Sequence, residues 1–232
     1  MANNDRDSRP TVEAETKFWN QGFLHVAGLD EAGRGALAGP VYAAAVVLPR
    51  DAVTWERLEG VRDSKVLTPG RREAQFDLIM EVATAVGVGR AEAEEIDALG
   101  IVPATRLAMV RALDLLVPPP EALIIDALAL PEVDLPQQYF PYADALCLSV
   151  AAAGIVAKVS RDRWMVESAE VDHPGYGFAR HKGYGTSQHR KMLDELGVCS
   201  LHRRTFAPVA FRLSAEALGL LPEQPPEKRG EP

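Results

Sequence analysis

The chain is poor in cysteine and has no long apolar run. Its two cysteines, Cys147 and Cys199, are far apart and not in a metal-type pair. A structural Cys/His zinc site is therefore not supported, and both are expected to be reduced thiols of a cytoplasmic protein. No apolar run approaches the roughly 18–20 residues that a membrane span needs. The polar amino terminus also lacks the apolar centre of a signal peptide.

Basic residues are outnumbered by acidic ones, 25 to 33, so the formal net charge is −8 at pH 7. Taken alone, this balance argues against nucleic-acid binding. Residues 178–204, however, contain six basic and two acidic residues, together with three histidines. A basic carboxy-terminal third can present a local field to a polyanion even in an acidic protein. The alternative is that these residues are solvated helix faces.

The most informative stretch joins two apolar runs, 23–29 and 41–48, through a pair of acids and a turn. Asp30 and Glu31 follow the first run. The turn then has the sequence Gly33-Arg34-Gly35. Two adjacent carboxylates at the tip of a buried strand repel each other, and a bound cation would relieve that repulsion. The alternative is that the acids only begin a turn that the glycines permit.

Hydrophobic periodicity predicts strands and helices that alternate along the chain. The strands are expected over 23–29, 41–48, 85–91 and 122–126, and the helices over 70–82, 100–117, from about 146–149 to 169, and 186–196. This order predicts an α/β fold in which helices flank a mixed sheet. Residues 1–20 are expected to be a flexible lead-in, and residues 221–232 a disordered tail.

Two further acids stand where a buried element begins or ends. Asp126 ends an apolar run, and Asp144 precedes a predicted helix. Ligand sites in α/β sheets gather at strand ends, so these acids are expected to meet Asp30 and Glu31. Carboxylates without Cys or His ligands select Mg²⁺ or Mn²⁺, and two such ions suit phosphodiester hydrolysis. For Asp144, the alternative is a simple helix cap.

Taken in order, the motifs of this chain resemble those of the ribonuclease HII family from about residue 23 to residue 209. The matching segments are Asp30-Glu-Ala-Gly-Arg-Gly35, Leu37-Ala-Gly-Pro40, Arg62-Asp-Ser-Lys65, Ile125-Asp126, Asp144 with 154–162, 173–186 and 202–208. The resemblance implies a ribonuclease H-like mixed β-sheet flanked by helices, with a small C-terminal helical subdomain. The catalytic domain is expected over 21–170 and the substrate-binding subdomain over 171–220.

The same resemblance implies an endoribonuclease that hydrolyses the RNA strand of RNA–DNA hybrids and cuts 5′ to single ribonucleotides in duplex DNA. The product ends would be 3′-hydroxyl and 5′-phosphate. The implied catalytic and metal-binding residues are Asp30, Glu31, Asp126 and Asp144, with two Mn²⁺ or Mg²⁺ ions when substrate is bound. The implied substrate-binding residues are Gly33, Arg34, Gly35, Ser64, Lys65, Lys182 and Tyr184. A monomer is expected, and no motif for a replication clamp is evident.

Four residues at three places depart from the family pattern, and none of them removes a metal ligand. Ala127 follows the third acid in place of Gly, Tyr142-Ala143 stands where Lys-Gly is common, and Gly154 replaces Ser. Two rival functions stay open on the sequence. One is a related nuclease that cuts branched DNA, and the other is a non-catalytic nucleic-acid binder whose acids serve as caps and turns.

Overall fold

A computed structural model describes residues 9–218, and a five-stranded sheet of order β3-β2-β1-β4-β5 dominates it. The strands are β1 Val26–Ala32, β2 Val41–Val47, β3 Ala85–Ala91, β4 Ala122–Asp126 and β5 Gln137–Phe140. β1 is antiparallel to β2 and parallel to β4, β2 is antiparallel to β3, and β4 is parallel to β5. The predicted mixed sheet is confirmed.

Eleven helices and one π-helical turn account for the other regular segments of residues 9–218. The helices are α1 Glu13–Trp19, α2 Ala52–Arg57, α3 Pro69–Val82, α4 Ala93–Leu99, α5 Ile101–Leu113, α6 Ala143–Leu146, α7 Leu148–Trp164, α8 Glu170–Asp172, α9 Phe178–His181, α10 Ser187–Leu196 and α11 Ala207–Ala217. The π-helical turn Met165–Ala169 joins α7 to α8. Within this part of the chain, no helix is long and apolar enough to cross a membrane.

The chain divides into two compact units. The first comprises the described residues up to 34, together with 41–91 and 102–161, and it contains the sheet. The second comprises 35–40, 92–101 and the described residues from 162 onward. The second unit has an apolar core that includes Met165, Tyr176 and Phe178. The predicted disordered tail lies outside the described residues.

Helix α7 packs against the sheet of the first unit through small residues. Ala151, Ala152 and Ala153 are fully buried. On β1, a Cβ added to Gly28 would overlap the backbone of Ser149 in α7. Side chains two residues apart on a strand share a face, so Asp30 lies on the same side of the sheet as Gly28. The close approach of α7 therefore reaches the first of the predicted catalytic acids.

The amino-terminal segment contains a packed helix, where the sequence predicted a flexible lead-in. Phe18 and Trp19 of α1 are buried with Val26 and Ile124 of the sheet. The fully buried Glu15 accepts hydrogen bonds from Ser149 through Oε1, at 2.9 Å from the backbone nitrogen and 2.6 Å from the hydroxyl. Burial raises the pKa of Glu15. A single pair of adjacent apolar residues in an otherwise polar segment lacks the repeated spacing from which a helix could be predicted.

Other elements also went unpredicted for local reasons. β5 is not among the strands predicted from the sequence, and it is only partly buried at the edge of the sheet. An edge strand buries fewer side chains and accommodates proline at its ends, so its pattern is weak. α2 is not among the predicted helices, and none of its residues is buried.

Candidate active site

Asp30 and Asp126 follow paired residues on two adjacent parallel strands. β1 and β4 pair from Val26 opposite Ala122 to Leu29 opposite Ile125, and the next residue on each strand is an acid. The sequence placed Asp30 and Glu31 after the strand, but both belong to β1, where they lie opposite residues of β2. Although side chains alternate along a strand, Glu31 at the end of β1 still interacts electrostatically with Asp30 and Asp126.

Asp30 is the most electrostatically perturbed of the four acids. It is only 5% exposed, and its pKa is raised well above the ordinary value. Burial is the main cause, followed by the negative charges of Glu31, Asp126 and Asp144. The backbone N–H of Glu31 donates to Asp30 Oδ1 at 2.7 Å, which opposes the shift. The predicted quartet of carboxylates thus interacts around one buried member.

Glu31 has one paired and one unpaired carboxylate oxygen. Arg34 Nη1 lies 3.1 Å from Oε1, within an ion pair. Oε2 is buried and has no hydrogen-bond partner among residues 9–218. Burial raises the pKa of Glu31, while the nearby Arg34 acts against that rise. A buried carboxylate oxygen without a donor is costly, so this atom is suited to receive a cation or a donor.

Asp126 connects the end of β4 to the helix that carries Asp144. Its Oδ1 accepts a hydrogen bond from the backbone N–H of Ala143, at 2.8 Å. Asp144 lies in the same first turn of α6, with only 7% of its side chain exposed. Lys65 Nζ lies 3.2 Å from Asp144 Oδ2. The pKa of Asp126 is raised, chiefly by burial.

Lys65 and Arg34 offset part of the negative charge of the quartet. Burial by itself lowers the pKa of Lys65. The negative charges of Asp144, Asp63 and Asp30 outweigh this effect, so the pKa of Lys65 is raised overall. The side chain of Lys65 is 75% exposed, so the positive partner of the buried Asp144 is open to solvent.

The donor set fits a hard divalent cation. All four acids offer oxygen, Glu31 Oε2 lacks a partner, and no cysteine or histidine belongs to the cluster. In the described part of the chain, no group of three or more His, Cys, Asp or Glu side chains already has an arrangement that could hold a metal ion. The quartet thus interacts as charges and is not a preformed coordination shell.

The predicted substrate-binding residues divide between the two units. Gly33, Arg34, Ser64 and Lys65 belong to the first unit with the four acids, and Gly35, Lys182 and Tyr184 belong to the second. Ser64 is buried, and its carbonyl accepts a hydrogen bond from Arg72 Nε at 2.9 Å. The Lys182 ammonium donates to the carbonyl of Ala179.

Arg161 is a residue of this site that the sequence did not single out. It is fully buried in α7, and a Cβ added to Gly33 would overlap its guanidinium group. Gly33 also has a φ of +92°, which residues with a side chain rarely adopt. Arg161 lies within the matching segment 154–162, but nothing in the sequence separates it from Lys158 and Arg163 of the same helix.

The expected basic surface of the last third is smaller than its composition suggests. His181, His189, His202 and Arg203 are all buried in the second unit. The Arg203 Nε–H donates to the carbonyl of Gly39 at 3.0 Å. These side chains are therefore structural, whereas Arg180, Arg190 and Arg204 are exposed.

Comparison with known proteins agrees with this geometry. The family model described as Ribonuclease HII matches residues 27–209. A ribonuclease HII from Dehalococcoides mccartyi is 51% identical over 205 residues, covering 86% of this chain and 94% of that protein. Relatives that similar over most of both chains share a fold and a family.

Two solved structures support the same conclusion at lower identity. The ribonuclease H2 of Pyrococcus horikoshii OT3 has a TM-score of 0.70 at 29% identity, covering 82% of this chain and 97% of that one. The ribonuclease HII of Archaeoglobus fulgidus, solved in a complex with PCNA, has a TM-score of 0.66 at 28% identity, covering 79% and 95%. The predicted ribonuclease H-like fold is confirmed. The chain therefore belongs to the ribonuclease HII family, whose members are nucleases.

Proposed function

We propose that the chain is a metal-dependent endoribonuclease that hydrolyses the RNA strand of RNA–DNA hybrids. It also cuts 5′ to single ribonucleotides in duplex DNA and leaves 3′-hydroxyl and 5′-phosphate ends. The observation that carries the proposal is the interaction of Glu31, Asp126 and Asp144 with the buried Asp30 in a ribonuclease HII family member. Such a cluster is unfavourable by itself and becomes favourable when cations bind.

The four carboxylates would hold Mn²⁺ or Mg²⁺, because both ions prefer oxygen donors. When bound, two such ions supply activation of a water for in-line attack and stabilisation of the leaving oxygen. The protein's part is positioning. Asp30 and Asp126 are fixed by paired strands, and Asp144 is fixed by the turn that Asp126 caps. On substrate binding, Lys65 would leave Asp144 and contact a substrate phosphate instead.

Substrate recognition requires a contact that distinguishes RNA from DNA at one nucleotide. We assign that contact to the backbone of Gly33, Arg34 and Gly35, which would meet the 2′-hydroxyl. Tyr184 would stack on the adjoining deoxyribose. The phosphate contacts would come from Ser64, Lys65 and Lys182. Phosphate contacts set the register of the substrate, whereas the 2′-hydroxyl contact sets specificity.

The decisive experiment is cleavage of a duplex that contains one ribonucleotide, in the presence of Mn²⁺ and with both product ends mapped. Asp126→Asn should lower the rate by about two orders of magnitude or more, while the melting temperature stays near that of the parent protein. Asp114→Asn is the matched control, since Asp114 is an exposed acid beyond the end of α5. Full activity of Asp126→Asn would contradict the proposal.

The same duplex, compared with an all-DNA four-way junction, distinguishes the proposed function from the two rival functions. A nuclease for branched DNA would cut an all-DNA four-way junction in preference to the ribonucleotide-bearing duplex. A non-catalytic binder would cut neither, and Mn²⁺ would not raise its melting temperature. The proposed enzyme should cut the duplex and be stabilised by Mn²⁺, because a ligand that binds only the folded state raises apparent stability.

We also propose a cytoplasmic monomer that acts on nucleic acid. Both cysteines are free and buried, which suits a reducing compartment. Size-exclusion chromatography with light scattering would test the oligomeric state. A stable dimer would contradict this part of the proposal.

A further inference from the structure

Three histidines form a buried group in the second unit, and the acid site does not use them. His189 and His202 are at most 1% exposed, and His181 is 7% exposed. The rings of His181 and His189 stack with centroids 4.3 Å apart, and the edge of Phe178 packs against both. Buried imidazoles are retained where each ring nitrogen has a hydrogen-bond partner.

The partners of His202 and His189 determine which nitrogen of each ring carries the proton. The backbone N–H of Cys199 donates to His202 Nδ1 at 3.0 Å, so the proton of neutral His202 is on Nε2. His202 Nε2 lies 3.1 Å from His189 Nε2, which must then accept. The proton of His189 is therefore on Nδ1, and it points at the carbonyl of Tyr184, at 3.0 Å.

The backbone of Tyr184 is fixed on both sides by this group. Its N–H donates to the carbonyl of His181 at 2.9 Å. Its carbonyl accepts from His189 Nδ1 and from the backbone N–H of Thr186, at 2.8 Å. The Thr186 side chain in turn accepts from the backbone N–H of His189, at the start of α10. A single ring thus links the first turn of α10 to the peptide that carries Tyr184.

We propose that His189, oriented by His202, is a positioning residue that sets the backbone of Tyr184 and thereby the stacking surface of its ring. The inference rests on the proposed function, because it assigns a purpose to the Tyr184 ring that only a nucleic-acid substrate would use. His189 itself does not meet the substrate. It acts through the Nδ1–H···O=C hydrogen bond to Tyr184.

The chain of hydrogen bonds works only while both rings are neutral. A second proton on His189 would place its Nε2–H against the Nε2–H of His202. Burial, followed by the neighbouring His181, lowers the pKa of His189 to about 4. Burial, followed by His189, lowers the pKa of His202 to about 3. Both rings are therefore neutral at physiological pH, as the hydrogen-bond geometry requires.

A structural metal site is the competing use of such a cluster, and the contacts argue against it. His189 Nδ1 faces the Tyr184 carbonyl, and His181 Nε2 faces the carbonyl of Tyr176 at 2.9 Å. His202 Nδ1 is shared by the backbone N–H and the thiol of Cys199. Among the described residues, no group of three or more His, Cys, Asp and Glu side chains has an arrangement that could hold a metal.

The first test needs no substrate. Nitrogen-15 chemical shifts of the histidine rings in the full-length protein at neutral pH report which nitrogen is protonated. The expected result is the Nδ1–H tautomer for His189 and the Nε2–H tautomer for His202. An Nε2–H tautomer at His189 would remove the donor to Tyr184 and overturn the inference, whatever the enzyme does.

The second test is a double-mutant cycle on cleavage of the one-ribonucleotide duplex. His189→Leu should raise KM about three- to tenfold with a smaller change in kcat, the effect expected when one hydrogen bond is lost. The same change in a Tyr184→Ala background should have little further effect on KM, because the positioned ring is gone. His189→Asn keeps an N–H donor and should recover part of the loss. His173→Leu, at a partly exposed histidine of the same unit, is the control.

The outcomes separate this inference from the proposed function. If the parent protein does not cleave the duplex, the proposed function fails. The tautomers measured for His189 and His202 still test whether the hydrogen-bond chain to Tyr184 exists. If the parent cleaves but Tyr184→Ala leaves KM unchanged, the positioning role is overturned. Equal effects of His189→Leu in both backgrounds would likewise overturn it, because a general loss of stability does not depend on the Tyr184 ring. Melting curves of each variant accompany the kinetics.

Discussion

The carboxylate of Asp30 occupies the space that a side chain at Gly154 would need. A Cβ built on Gly154 in α7 would overlap Asp30 Oδ2. A glycine inside a helix costs up to about 1 kcal/mol relative to alanine. At residue 154, the absence of a side chain allows α7 to approach the buried Asp30 without displacing it. The departure from the family pattern at residue 154 therefore bears directly on the site.

Gly154→Ala should destabilise the protein by about 1–3 kcal/mol, since a new methyl group in a close-packed region forces its neighbours to shift. It should also weaken Mn²⁺ binding, because Asp30 is the group that must move. Urea unfolding and a Mn²⁺ titration measure the two effects.

Gly70→Ala is the matched control for this change. Gly70 lies in α3, and no non-local atom of the described part of the chain lies within 4 Å of an added Cβ. There the same substitution should be neutral or stabilising by up to about 1 kcal/mol. Similar stabilities for Gly154→Ala and Gly70→Ala would show that Asp30 tolerates the crowding.

The two glycines of the Gly33-Arg34-Gly35 turn should respond differently to alanine. At Gly33 the positive φ costs about 1–2 kcal/mol for a residue with a side chain, and the new Cβ also overlaps Arg161. At Gly35, apart from its chain neighbours, no atom of the described residues lies within 4 Å of the added Cβ. Gly33→Ala should therefore lower the unfolding free energy by about 2 kcal/mol or more, and Gly35→Ala by much less. Equal losses of unfolding free energy in Gly33→Ala and Gly35→Ala would contradict this prediction.

Ala127→Gly should stabilise the protein. Ala127 follows the metal-site candidate Asp126 and has a φ of +58°, a conformation that costs about 1–2 kcal/mol for alanine. The greater freedom of glycine in the unfolded chain offsets about 0.4–1 kcal/mol of that relief, so a net gain of about 0.5–1 kcal/mol is expected. Ala52→Gly, at an exposed position in α2, should destabilise. A loss of stability in Ala127→Gly would contradict the prediction.

The raised pKa of Asp30 predicts a pH dependence of stability in the absence of metal. Between its ordinary value of 3.8 and the higher folded value, the folded protein holds a proton that the unfolded chain has released. The unfolding free energy should therefore fall as pH rises through that window. Asp30→Asn removes this contribution. The unfolding free energy of Asp30→Asn minus that of the parent should therefore be larger at about pH 8 than at about pH 5.

Mn²⁺ should reverse the order of these two proteins at the higher pH, because the parent binds the ion and Asp30→Asn binds it poorly. Denaturant titrations of both proteins, with a chelator and with Mn²⁺, make the comparison. If the two proteins had the same pH dependence without metal, the assigned environment of Asp30 would be wrong.

Much of the site could be predicted from the sequence, because its residues stand at the ends of strongly patterned segments. The apolar runs before Asp30 and Asp126 are long enough to specify strands that are buried on both faces, and a strand end brings its acid to the edge of the sheet. Lys65 and Tyr184 were predicted from the motifs that surround them. Composition, local period and motif are properties of short segments, and they are fully present in the sequence.

Other features depend on which segments meet, and only the tertiary structure decided them. Burial of α1 depends on the sheet beneath Phe18 and Trp19, and the value of Gly154 depends on the distance between α7 and Asp30. The proton position of His189 depends on the contact of its Nε2 with His202 Nε2, 13 residues away in the chain. Contacts between residues distant in the chain arise from the register of strands and the packing of helices, which no local pattern specifies. The sequence by itself determined which groups are candidates for the chemistry, and the packing determined which of them meet and in what protonation state.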